Sequence, residues 1–354
     1  MDDQGFRFLQ QLLETPSPSG YESRIQDCIA EYVQSFADVV ERDWHGNLMA
    51  AVNPQGHPRI LLAGHCDQIG LLVKRIDEQG FVWFSPIGGW DPLVLIGQQV
   101  QVWSRHGPVP GVIGRKPIHL LSPQERKKVP QLTDLWIDIA ARSREEAMER
   151  VELGDPVTVE LGVRRLANDC IVGAGVDNRI GVWTVMTALQ RVRALNPQAA
   201  VYAVSTAQEE IGLRGIRTSA FRIDPAIGIA VDVTHATDCP NYNQNEHGEV
   251  GIGKGPVLVR GPNVNPEVHA RLKRIAETSG IEVQHYGLAK PASNDANALQ
   301  IARQGTATGL VTIPNRYMHT PVEMVCLNDA DAAATLIAEF CAGVTPQCDF
   351  TPRW

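Results

Sequence analysis

Apolar positions near the N-terminus recur at spacings of three and four. Phe6, Leu9 and Leu13 predict a helix that the tract TPSPSG breaks. Ile25, Ile29, Val33 and Phe36 mark one face of a second helix. Short strand-like runs follow at NLMAAV and RILLAG. From about residue 68 to 163 the rhythm changes to many short Val/Ile/Trp-rich runs cut by Gly and Pro: GLLVKRI, FVWFSPIGG, QQVQVWS, GVIGRK, LWIDIA and PVTVEL. Closely spaced strands with turn signals predict a small all-β unit. One helix interrupts it, opened by a capping-box pattern of Ser143 and Glu146.

After about residue 164 the pattern becomes strand–helix–strand. VDNRIGVWTVMTALQRV reads as a helix with Val182, Val185 or Met186, and Leu189 on its buried side. AAVYAVSTA, AIGIAVDVT and TATGLVTI read as buried strands. Asn265 and Pro266 open a helix that Gly280 closes, and Asn328 is placed as the cap of a final Ala-rich helix. Alternating strands and helices imply an α/β fold with a mostly parallel sheet flanked by helices. The expected organisation is an α/β domain, 1–67 plus 164–354, split by a β-rich insertion at 68–163.

Composition narrows the classes. The chain has 354 residues, 44% hydrophobic and 20% charged, which suits a packed globular protein. Its formal net charge is −8, and the short RKK tract at 126–128 makes no basic patch, so no nucleic-acid partner is expected. No apolar run is long enough for a membrane span. The start, MDDQGFRFLQ, shows no secretory signal. Seven scattered Cys without a C-x-x-C suit reduced thiols, so a cytoplasmic location is expected.

The chemistry gathers where apolar runs stop. RILLAG ends at His65 and Asp67, VYAVSTA at Gln208-Glu209-Glu210, IGIAV at Asp232, and GLVTI leads through PNRYM to His319. Asp177 sits at a helix start. Open α/β sheets bind ligands at the carboxyl ends of their strands, so these residues can converge. Taken singly, each has a plain reading: a surface His, an exposed loop acid, an N-cap. Together, imidazoles and carboxylates suit zinc, cobalt or manganese. A shared carboxylate would make a two-metal centre that acidifies water and steadies an oxyanion. Of the adjacent acids, one can hold metal and the other take a proton. Cys66 alternates away from His65 and Asp67 and is expected to face the packing. Trp44, Trp83, Trp90 and Trp103 are expected to pack. His119 and His235 are expected to be structural or pocket-shaping.

The blocks GHCDQIG, VDNRIG, AQEEIGLRG, VDVTHA and PNRYMHTPVE, in this order, resemble the signatures of the TET and glutamyl-aminopeptidase family. These are co-catalytic metallo-aminopeptidases, some of which carry endoglucanase labels. PSPSGYE, GVIGRKPIHLL, LWIDIA and GKGP match as well, so the resemblance spans nearly the whole chain. It implies a phosphorylase/hydrolase-like metallopeptidase fold with the insertion as a dimerisation domain. It implies two divalent metal ions, zinc first, with cobalt or manganese possible. His65, Asp177 and Asp232 would hold one ion, and Asp177, Glu210 and His319 the other. Glu209 would be the general base and Asp67 would orient His65. The implied activity is removal of N-terminal residues from peptides by metal-activated water. The implied partners are peptide substrates and further copies of the chain, as a homodimer or a dodecamer.

Departures from the family pattern concern substrate choice. Gln68 replaces a usual Glu, Cys66 a usual Met, and Ser293 and Asn294 stand in a loop where Gly and Thr are common, while Asp295 matches. They keep open a metal-dependent deacylase acting on small N-acylated substrates. An inactive assembly or binding protein on the same fold is a further alternative, which loss of Glu209 or of a ligand would favour, and those positions are all filled. A cellulase reading finds no support in an aromatic content of 6%.

Overall fold

A computed structural model describes residues 1–353 of the chain. Burial along the strand Arg59–His65 sets the layers. Ile60 and Leu62 pack into one core, Leu61 and Ala63 into another on the opposite face. A strand buried on both faces needs strands beside it and helices above and below. The sheet has eight strands, in the order Val39–Arg42, Leu48–Val52, Ala200–Thr206, Arg59–His65, Ile227–His235, Ala307–Asn315, Val257–Arg260 and Gln284–Gly287. The four central strands are mutually parallel. Leu48–Val52 and Val257–Arg260 flank them antiparallel.

Helices Asp3–Glu14, Ser23–Val33, Val176–Ala194, Pro266–Ser279 and Leu327–Ala342 build the larger core on one face. Arg214–Ile223 and Asp295–Leu299 cover the other. Val182, Val185, Met186 and Leu189 are buried as their spacing predicts. Trp183 and Thr184 on the remaining faces are buried too, because this helix lies between the sheet and Leu327–Ala342. Asn265 caps Pro266–Ser279, and Gly280 closes it at φ 65°. Ser143 accepts from the Glu146 amide, but the Glu146 carboxylate accepts from Arg142, so half the expected capping box forms. Asn328 does not cap the last helix. The strand Glu323–Cys326 runs straight into it, which leaves Asn328 inside the first turn, donating to Asp169 at 3.2 Å.

Six strands between Gly70 and Val159 close into a barrel, in the order Gly70–Ile76, Val82–Ile87, Trp136–Asp138, Gly107–Gly114, Gln99–Ser104 and Pro156–Val159. It has its own core, including Leu71, Val100, Ile113, Ile137 and Val157. Two short helices interrupt it, Pro92–Leu95 and Arg144–Met148, where the sequence pattern marked one. Trp83, Trp90 and Trp103 are half-buried, each donating its indole N–H. Trp44 does not pack: it is fully exposed in a turn closed by bonds from His45 and Asn47 to Asp43. His119 is likewise exposed, in a short turn between barrel strands. A third, antiparallel sheet joins Val163–Arg165, Cys170–Gly173 and Glu323–Cys326. Among the described residues, no helix is long and apolar enough to cross a membrane.

Candidate metal centre

Toward their carboxyl ends the parallel strands and the loops after them bring His65, Glu209, Glu210, Asp232 and His319 to one place, and the kinked start of the helix Val176–Ala194 adds Asp177. Asp177 lies between the two imidazoles. Its Oδ1 is 3.3 Å from His65 Nε2 and its Oδ2 is 3.5 Å from His319 Nε2. Asp232 Oδ1 stands 3.7 Å from His65 Nε2, and Glu210 Oε2 stands 3.4 Å from His319 Nε2. Glu209 Oε2 lies on the His65 side, at 3.8 Å. Asp232 is not at its strand end. The strand continues to His235 because its partner pairs with it as far as Asn315.

Both imidazoles have a defined tautomer. His65 Nδ1 donates to the backbone carbonyl of Asp67 at 3.0 Å, and His319 Nδ1 donates to the carbonyl of Gly89 at 3.0 Å. A carbonyl only accepts, so Nδ1 carries a proton in both rings and Nε2 is the nitrogen that faces the carboxylates, donating to Asp177 without a cation and free to offer its lone pair to one. The Asp67 carboxylate, expected to orient His65, is 3.6 Å from the ring. Its closer bonds go elsewhere. It accepts the amides of Glu209 and Glu210 at 3.0 and 3.1 Å and the Ser19 hydroxyl at 2.6 Å. Glu22 accepts the Gln208 amide at 3.1 Å. The N-terminal PSPSGYE block therefore braces the Glu209–Glu210 turn.

The charges are concentrated and buried. Burial pushes Glu209, Glu210 and Asp232 above the usual carboxylate range, and neighbouring carboxylates add to it. Asp177 is held below that range: burial raises it, but bonds from His319 and His65 outweigh that. The hydrogen bond to Asp177 raises His319 to about 9. Among the described residues, no Lys or Arg pairs with any of these acids, and Glu210 Oε1 has no hydrogen-bond partner. Buried carboxylates without a cation are costly. Two groups, His65–Glu209–Asp232 and His65–Asp177–Glu210, have ligand atoms within 4.8 Å of one another. The donor set fits divalent metal ions.

The site opens into a cavity of about 690 Å³, with Val259, Leu288, Leu310 and Met318 among its apolar lining and Lys290 and Asn294 among its polar lining. Ser293 and His235 also line it. Gln68 does not. It is buried behind the centre, where its side-chain oxygen accepts from Arg179, and its backbone bonds Ser17 and Ser19. Cys66 faces the core as expected.

The M42 glutamyl aminopeptidase profile matches residues 46–336. The chain belongs to this family. Over 354 residues this M42 chain is 35% identical to the lysyl aminopeptidase of Pyrococcus furiosus, covering 98% of this chain and 99% of the relative. A TET aminopeptidase from a marine sediment archaeon of the Thaumarchaeota superposes with a TM-score of 0.93, at 33% identity and 98% coverage of both chains. The Pyrococcus horikoshii TET1 peptidase, which can assemble into a tetrahedron or a large octahedral shell, gives 0.85 at 32% identity, covering 96% of this chain and all of that one. As an M42 member the chain is an aminopeptidase-class hydrolase.

Sequence reasoning did not single out Glu323, Gly89 or Glu22. Glu323 and Glu22 lie inside blocks that carry the resemblance, PNRYMHTPVE and PSPSGYE, but nothing in their local pattern marks a role.

Proposed function

We propose that the protein is a dinuclear metal-dependent aminopeptidase that releases N-terminal residues from peptides. The supporting observation is Asp177, whose two oxygens face two different imidazoles. His65, Asp177 and Asp232 would hold one divalent ion, and Asp177, Glu210 and His319 the second. Zinc is assigned, with cobalt and manganese able to use the same donors. Bound there, the ions supply Lewis acidity to water and to the scissile carbonyl.

Glu209 is the general base. It sits beside His65 but belongs to neither set of three donors named above, and burial favours its holding a proton. It takes a proton from the attacking water and returns it to the departing amine. Asp67 holds the Glu209 and Glu210 amides so that both carboxylates keep their directions. Peptide side chains enter the cavity lined by Val259, Leu288 and Leu310.

Glu209→Gln is expected to keep its metal content, measured by elemental analysis, and to lose at least about a hundredfold in kcat. Near-wild-type turnover would remove Glu209 from this role. Aminoacyl anilides are expected to be cleaved and N-acetyl amino acids left intact; the reverse would establish the deacylase. The barrel, with exposed Ile118, Leu120 and Val129, is assigned as the self-association domain.

A further inference from the structure

Glu323 is a buried carboxylate outside the ligand set, 1% exposed, and among the described residues it pairs with no cationic side chain. Its two oxygens each accept one backbone amide. Oε1 accepts from His319 at 2.9 Å and Oε2 from Asp177 at 3.0 Å. These amides belong to different segments: Asp177 lies in the kinked first turn of the helix that follows the strand Cys170–Gly173, and His319 lies in the loop after Ala307–Asn315. Glu323 opens the strand that pairs with Cys170–Gly173, opposite Gly173 itself. One carboxylate thus ties both segments to one sheet.

His319 needs such a tie. Its backbone is left-handed, at φ 60°, a conformation that non-glycine residues hold only when the surroundings over-determine it. Glu323 holds its amide, and Gly89 holds its ring beside the acids. A neutral side chain at 323 would spare the fold the burial of a charge. The carboxylate makes sense where cations will sit nearby.

We infer that Glu323 is a positioning residue for the ion that Asp177, Glu210 and His319 would hold, acting on that ion more than on the one beside His65 and Asp232. This rests on the two-ion reading above. The test titrates chelator-stripped protein with Co²⁺, following heat and visible absorbance, alongside thermal unfolding of the stripped protein. Wild type is expected to bind two equivalents. Glu323→Gln is expected to bind the first within about threefold of wild type and the second about 10–100-fold more weakly, the usual range for partners of metal ligands. Its stripped unfolding temperature is expected to fall only by the loss of one buried hydrogen bond, since the side-chain nitrogen of Gln cannot accept. Glu323→Asp keeps the charge but shortens the reach; the same ordering is expected there, so it serves if the Gln variant is not recovered. Two unchanged equivalents would overturn the inference, as would equal loss of both with a larger fall in unfolding temperature. Fewer than two equivalents in wild type would instead overturn the two-ion reading.

Discussion

Asp67 and Gln68 are neighbours with opposite surroundings. Asp67 reaches the Glu209–Glu210 turn, while Gln68 turns back to Arg179. The Arg179 guanidinium is fully buried, and its acceptors are all neutral: Gly175 O, Thr15 O, Ser17 Oγ and Gln68. A buried charge without a counter-ion is costly, and a carboxylate at 68 would supply one. Gln68→Glu is therefore expected to stabilise the protein in denaturant titration and to leave its preference among aminoacyl anilides unchanged. A changed preference would put position 68 back at the substrate. Titration gives a second prediction. Burial, chiefly, raises Glu22 to about 7, Asp295 to about 7 and Glu323 to about 8. Folded protein then keeps protons that unfolded protein releases, so stability falls as pH rises from about 4 to about 8. His319, raised to about 9, loses its contribution as pH passes through that value. Asp67 and Asp177, both held low, act oppositely, and only below the ordinary carboxylate range. The unfolding temperature of chelator-stripped protein should fall from pH 5 to pH 9, and added Zn²⁺ should flatten the decline. A flat profile without metal would contradict these shifts.

At the scale of elements, the barrel takes part in the centre through one turn. Gly88 has φ 75°, and a Cβ there would lie 2.6 Å from Ile69 Cγ2. The next residue, Gly89, supplies the carbonyl that orients His319. Gly88→Ala is expected to displace this turn, free the His319 ring and raise the Co²⁺ concentration needed for half-maximal activity at least about tenfold. An unchanged metal requirement would show that His319 keeps its direction without the barrel. The strands that carry the candidate ligands were legible because continuous apolar runs such as RILLAG and VYAVSTA end abruptly in acids and imidazoles. The flanking strands Val39–Arg42 and Gln284–Gly287 were not, being short and only half-buried, without a strong period.

At the scale of the molecule, apolar side chains stand exposed on the barrel at Ile118, Leu120 and Val129. They share the segment between the strands Gly107–Gly114 and Trp136–Asp138 and are not part of the barrel's own core. Ile118→Ser with Leu120→Ser is expected to shift the protein to smaller species in light scattering at micromolar concentration, with its unfolding temperature little changed. An unchanged particle mass would place self-association elsewhere. The sequence by itself determined the α/β class, the β-rich interruption and the residues at strand ends, because burial on two faces and abrupt polarity are written locally. The blocks of the family resemblance determined which of those residues to group. Tertiary structure alone decided what each acid does for its neighbours. That Asp67 serves the Glu209–Glu210 turn, that Gln68 lies behind the centre, and that Glu323 and Gly89 hold His319 all depend on contacts between segments far apart in the chain. No period or spacing records such contacts, since hydrogen-bond partners are set by where loops meet after the sheet has formed.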